Sequence, residues 1–164
     1  MIVDIHTHFI PGFAMSEAQQ AGGCMGVTSD GEWLVHPEGF RYPITPTLTD
    51  MDAKLAMMDE GRIDVSVLSI APTLFFYGAD AELAVEFARR ANDALAELTD
   101  GNDRLYGLAT LPLQDPKAAA AELERCVNGL GLRGAQIGHD AGPRQLDDPE
   151  LEPVLEAVAC LDVR

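Results

Sequence analysis

Apolar positions along this chain come in short runs separated by stretches of helical periodicity. Ile2, Val3 and Ile5 make a first strand, and residues 64–70 (DVSVLSI), 105–111 (LYGLATL) and 133–138 (RGAQIG) make three more. Between the first two, Leu48, Met51, Leu55 and Met58 recur at three- and four-residue steps, which is one face of a helix. Thr49 and Asp52 have the spacing of a capping box at its start. A longer helix carries the stripe Leu83, Phe87, Ala91, Ala94 and Leu98 and closes at DGND, residues 100–103. Asp115-Pro116 and Asp148-Pro149 each set a capping Asp before a Pro suited to the first helical position. Leu123, Val127 and Leu130 follow the first pair; Leu151, Val154, Leu155 and Val158 follow the second. GLGLRG, residues 129–134, stops a helix and leads straight into a strand. The order is βαβαβαβα in a single domain over residues 1–164. Such alternation implies a parallel sheet with helices packed outside it.

One connection breaks the rhythm. Residues 9–46 form a long stretch rich in Gly and polar residues, and loops of that length inside a domain tend to be functional. TSDGEWLVHPEGFRYPI holds an Asp-Gly turn and a Pro-Glu-Gly turn between short aromatic-bearing runs, which reads as a small hairpin. It is expected to cover the end of the sheet where the first strand emerges.

Composition narrows the function. The 164 residues are 47% hydrophobic, which suits a packed core, and the net charge is -16. That charge argues against nucleic acid and against anionic membrane surfaces as partners. An anionic substrate is repelled by the overall field, so a local arginine or a metal has to capture it. No apolar run reaches the length of a membrane span, and the first residues have no basic leader. Cys24, Cys126 and Cys160 have no CxxC spacing, so free thiols in a reducing cytoplasm are expected.

The candidate chemistry begins at MIVDIHTHFIP. Alternate strand residues point to the same side, so His6 and His8 project together and Thr7 faces away. Two imidazoles at that spacing reach one divalent ion, at the carboxyl end of a strand, where parallel α/β folds place their sites. Asp4 is a candidate to orient an imidazole from behind; otherwise it is a cap or a solvated residue. A catalytic zinc has three protein ligands and an open position, so His6 and His8 alone do not complete one. His139, after the fourth strand, divides evenly between a site residue and a surface histidine; His36, in the hairpin, reads more readily as structural. Arg41 in GFRYP can clamp a carboxylate with two hydrogen bonds or simply be solvated.

Read in order, DIHTHFIP, MMDEGRIDVSVLS, NDALAEL, RLYGLATLPLQDP, ELERCV, LRGAQIG and LDDPELEPVLEA resemble the amidohydrolase-related metal enzymes, in the branch of the aminocarboxymuconate-semialdehyde decarboxylases. The resemblance implies a (β/α)8 TIM-type barrel holding one divalent metal, usually zinc, with His6 and His8 as two of its ligands. It also implies that Arg41, in a similar Phe-Arg context, binds the carboxylate of a small unsaturated or aromatic acid. The implied reaction is decarboxylation, with hydrolysis of an amide or lactone and hydration as alternatives among relatives. Where the decarboxylases run into Gly-Thr-His after strand four, this chain reads Gly138-His139-Asp140, which leaves open whether His139 is the counterpart.

A full barrel takes about 250 residues. The chain is therefore expected to be the first four βα units, a half-barrel with open edges at its first and fourth strands. It is expected to associate with a second copy as a homodimer or to aggregate, and to bind zinc weakly with little activity alone. The competing reading is a non-catalytic half-barrel that binds a small acid or a partner.

Overall fold

A computed structural model describes residues 1–138 and 144–163. The parallel sheet holds β1 (Val3–Phe9), β5 (Val65–Ile70) and β6 (Leu105–Gly107), in the order β1-β5-β6. The fourth expected strand is reduced to one parallel bridge, Ala109 to Ala135. It is nonetheless stitched on: Arg133 N donates to Gly107 O, Ala109 N to Gly134 O and Gln136 N to Ala109 O, at 2.8–2.9 Å. Residue 107 has to be glycine, because a Cβ there would lie 2.7 Å from Leu132 and 2.9 Å from Leu95.

Helices alternate with these strands. α3 (Met51–Glu60) links β1 to β5 after the inserted segment, α4 (Ala81–Thr99) links β5 to β6, and α5 (Pro116–Leu130) leads from β6 to the fourth segment. α6 (Glu152–Leu161) packs beside α5. Asp115 caps α5 through the amides of Lys117 and Ala118, with Pro116 in its first turn, and Gly131 ends it at φ 73°, as the sequence pattern anticipates. Asp148 caps the 3-10 turn Pro149–Leu151 that precedes α6. The expected capping box does not form. Thr49 ends a short helix, α2 (Pro46–Thr49), and Asp50 is the cap of α3, accepting from Asp52 N and Ala53 N. Asp50 lies one residue nearer and satisfies both amides with one carboxylate.

The α4 stripe is rotated from the one read off the sequence. Leu83 is 55% exposed, and Ala84, Phe87, Ala88, Ala91, Asn92 and Leu95 face the core. A buried asparagine explains the shift, since an apolar count passes over it. Asn92 donates to Glu122 Oε1 (2.7 Å) and to the carbonyl of Thr110 (3.0 Å), and accepts from Thr110 N (2.8 Å). Glu122 is held in turn by Arg125, whose other nitrogen reaches Asp93 at 2.7 Å.

The segment over residues 9–46 is more than a hairpin. It opens with a helix, α1 (Gly12–Ala18), and continues as a three-stranded antiparallel meander, β2 (Thr28–Ser29), β3 (Trp33–Val35) and β4 (Arg41–Pro43). No capping side chain marks α1; tertiary contacts hold it. Phe13 meets Phe87 edge-on with ring centroids 5.6 Å apart, Arg90 lies over Phe13, and Arg90 pairs with Glu17 at 2.6 Å. Cys24, Val27 and Leu34 of the insertion are buried in the same apolar cluster as Phe9, Leu68 and Leu74 of the barrel half. Among the described residues no helix is long and apolar enough to cross a membrane.

Candidate metal centre

β1 runs further than its apolar residues suggest and carries both histidines inside it. Its register against β5 pairs Asp4 with Ser66 and then Thr7 with Leu68, so Ile5 and His6 together stand against Val67 alone. This is a bulge, and bulges re-aim side chains next to sites. Asp4 spans it: its Oδ1 accepts from the backbone N of His6 at 3.1 Å. The expectation that Asp4 orients an imidazole is thus corrected in detail, because its carboxylate holds the main chain of His6 and not the ring.

Beyond the bulge the two sides of the strand separate. Thr7 and Phe9 are buried among the core side chains, whereas His6 is exposed and His8 half-buried. The two imidazoles meet with centroids 4.7 Å apart at an interplanar angle of 79°. His8 Nδ1 lies 3.0 Å from Ser69 Oγ, and Ser69 also bonds Gln136 Oε1 from the fourth segment. Burial first, then the neighbouring His6 and the Lys54 ammonium, hold the His8 pKa below its ordinary value, so its neutral, ligating form persists to lower pH.

Lys54 supports the strand from the other side. It is 2% exposed, and its Nζ donates to Thr7 Oγ1 at 2.7 Å and to the His8 carbonyl at 3.1 Å. Burial lowers its pKa, with Asp4 partly opposing. The sequence reading missed it, although a signal existed: Lys54 sits on the stripe between Met51 and Met58 at helical spacing. Ser69, Gln136 and Tyr77 were missed as well. Tyr77 Oη accepts from Gly138 N at 3.1 Å, and burial pushes its phenol up to about 12. It fixes the segment that leads to His139, which lies outside the described residues.

Arg41 and His36 have partners of their own. Arg41 is on β4, with its guanidinium 2.5 Å from Asp30 Oδ2 and 5.0 Å from the centre of the Trp33 ring. Its side chain is half exposed. His36 bonds Thr73 in the 3-10 turn (Pro72–Leu74) that follows β5, and so fastens the insertion to the carboxyl end of the sheet. That is a structural task, as the sequence suggested. Among the described residues no three His, Cys, Asp or Glu side chains converge as a metal shell. His6 and His8 therefore fit as a pair of donors and not as a complete ligand set.

A bulged first strand carrying two neighbouring imidazoles, followed by alternating helices and parallel strands, is the architecture of half an α/β barrel. An amidohydrolase family model matches residues 3–163, and the chain belongs to that family. It is 32% identical over 161 residues to a 2-amino-3-carboxymuconate-6-semialdehyde decarboxylase from Dictyostelium discoideum, covering 94% of this chain and 45% of that protein. It is 42% identical over 119 residues to a gamma-resorcylate decarboxylase from Rhizobium radiobacter, covering 68% and 36%. Among solved structures, a dihydroxybenzoic acid decarboxylase from a Polaromonas species, with bound manganese and the inhibitor 2-nitroresorcinol, matches at 34% identity and a TM-score of 0.75. That match covers 99% of this chain and 47% of the other. The architecture is accordingly that of the first half of the TIM-barrel fold, and the chain spans about half the length of the curated relatives it matches.

Proposed function

We propose that this chain supplies the metal-binding first strand of a metal-dependent decarboxylase acting on a small aromatic or unsaturated carboxylic acid. The observation that carries the reading is the pair His6 and His8, converging at 4.7 Å at the carboxyl end of β1. Relatives that act on such acids match nearly the whole chain. His6 and His8 would hold a divalent cation, either Zn2+ or the Mn2+ bound by the Polaromonas relative, and that ion would polarise a carboxylate of the substrate. Lys54 fixes the main chain that presents the two rings. Arg41 would take the substrate carboxylate; its pairing with Asp30 is exposed on both sides, so exchange for a substrate anion costs little. His139, next in the sequence after Gly138, is assigned to substrate contact. All three cysteines are free thiols, which fits our assignment to the cytoplasm.

The test is CO2 release from gamma-resorcylate and from a carboxymuconate-type acid by the longest polypeptide that carries this chain, with Zn2+ or Mn2+ added. Release that needs the metal and disappears in His6→Ala is expected. Hydration of an unsaturated acid without CO2 release would overturn the reading.

A further inference from the structure

Ser69 has one proton to give and three neighbours. Its Oγ lies 3.0 Å from His8 Nδ1, 3.5 Å from the Thr7 carbonyl and in hydrogen-bond contact with Gln136 Oε1. The carbonyl and the amide oxygen can only accept, and Ser69 faces both, so the hydroxyl proton is committed to one of them. The bond to His8 is then made only if Nδ1 carries a proton and donates to Ser69. An imidazole protonated at Nδ1 has its lone pair at Nε2. Ser69 is 2% exposed, so water does not compete for these positions.

We propose that Ser69 and Gln136 are positioning residues that lock His8 as its Nδ1–H tautomer and so aim its Nε2 lone pair at the face it shares with His6. The lock joins three elements: the ligand strand β1, its neighbour β5 and the fourth segment across β6. It gives a role to the buried serine that stands opposite His8 in the register. In its purpose the proposal rests on reading His8 as a metal ligand; the tautomer itself does not depend on that reading.

Long-range 1H–15N spectra of the metal-free chain, labelled at histidine and held at pH 8, report the tautomer directly. His8 is expected as Nδ1–H in the wild type. Ser69→Ala is expected to shift it toward the Nε2–H form that free imidazoles favour. Gln136→Leu is expected to do so less, because Thr7 O remains as an acceptor, and Gln136→Glu retains an acceptor oxygen and keeps the wild-type pattern. Titration with Zn2+ then reads the consequence: Ser69→Ala weakens binding by about tenfold to a hundredfold, as for other residues that support metal ligands. An Nε2–H tautomer in the wild type, or one indifferent to Ser69→Ala and Gln136→Leu, overturns the lock. A wild type that takes up no Zn2+ while the tautomer pattern holds supports the lock and overturns the metal reading instead.

Discussion

Two polar clusters lie on one small sheet and are built to opposite rules. Around Glu122 every charge is met inside the protein. The carboxylate, 2% exposed, accepts from Arg125 through both oxygens and from Asn92, and Asn92 closes the circuit on the backbone of Thr110. At the carboxyl end of β1 the valences are left open. His6 is exposed, His8 is tied through one nitrogen, and the support comes from behind, through Lys54 and Ser69. The first arrangement fastens α4 and α5 to the end of β6; the second leaves two imidazoles with open valences. Saturation marks structure here, and open valences mark the candidate site.

The contrast breaks first at Glu122. Glu122→Ala leaves Arg125 with Asp93 alone and Asn92 with the Thr110 backbone alone, and is expected to lower stability by about 3 kcal/mol in urea unfolding. The pH sign follows from the same contacts. Burial pushes the Glu122 carboxyl up, but hydrogen bonds from Arg125 and Asn92 outweigh it and hold its pKa below the ordinary value. Its contribution is thus fully present above the unfolded pKa and is lost as pH falls through the folded one. Next comes Lys54. Lys54→Ala opens a cavity and strands Thr7 Oγ1 and the His8 carbonyl, for a loss of about 2–3 kcal/mol, whereas Lys54→Met fills the space and removes a buried charge, so its loss should be smaller. Equal losses in the two variants would mean that the hydrogen bonds, and not the packing, carry the effect.

Smaller still is His6→Ala. An exposed ring with no hydrogen bond of its own among the described residues should change stability by less than about 0.5 kcal/mol. A large loss there would erase the distinction between the two clusters. The smallest effect is a slope. The pKa values of His8 and His36 are lowered in the folded state, both first by burial. The unfolded chain therefore binds these protons earlier as pH falls, and stability declines from about pH 6.5 downward through the folded pKa values. Unfolding midpoints for His8→Gln and His36→Gln, taken from pH 7 to pH 5, should show a shallower decline than the wild type.

The barrel half was legible because its signals are periodic. Strand runs, Asp-Pro caps and the Gly131 stop are local choices that tertiary structure left in place. What escaped the sequence reading depended on contacts between distant residues. α1 exists because Phe13 meets Phe87 and Glu17 meets Arg90, partners more than 70 positions away. The fourth strand narrowed to a bridge, although its backbone still pairs along residues 107–109. At the candidate site, strand alternation was enough to set the two imidazoles side by side. Lys54, Ser69 and Gln136 were hidden because each looks ordinary until the fold turns it inward. The bulge that separates the roles of Asp4 and His6 leaves no trace in a two-residue alternation.

The most direct test of this account is calorimetric titration of the metal-stripped chain with Zn2+ and with Mn2+, comparing wild type, His6→Ala and His36→Ala. Binding by the wild type and by His36→Ala, weakened by about tenfold or more in His6→Ala, is the expected result. Equal affinity in all three proteins, or binding lost only in His36→Ala, would contradict it.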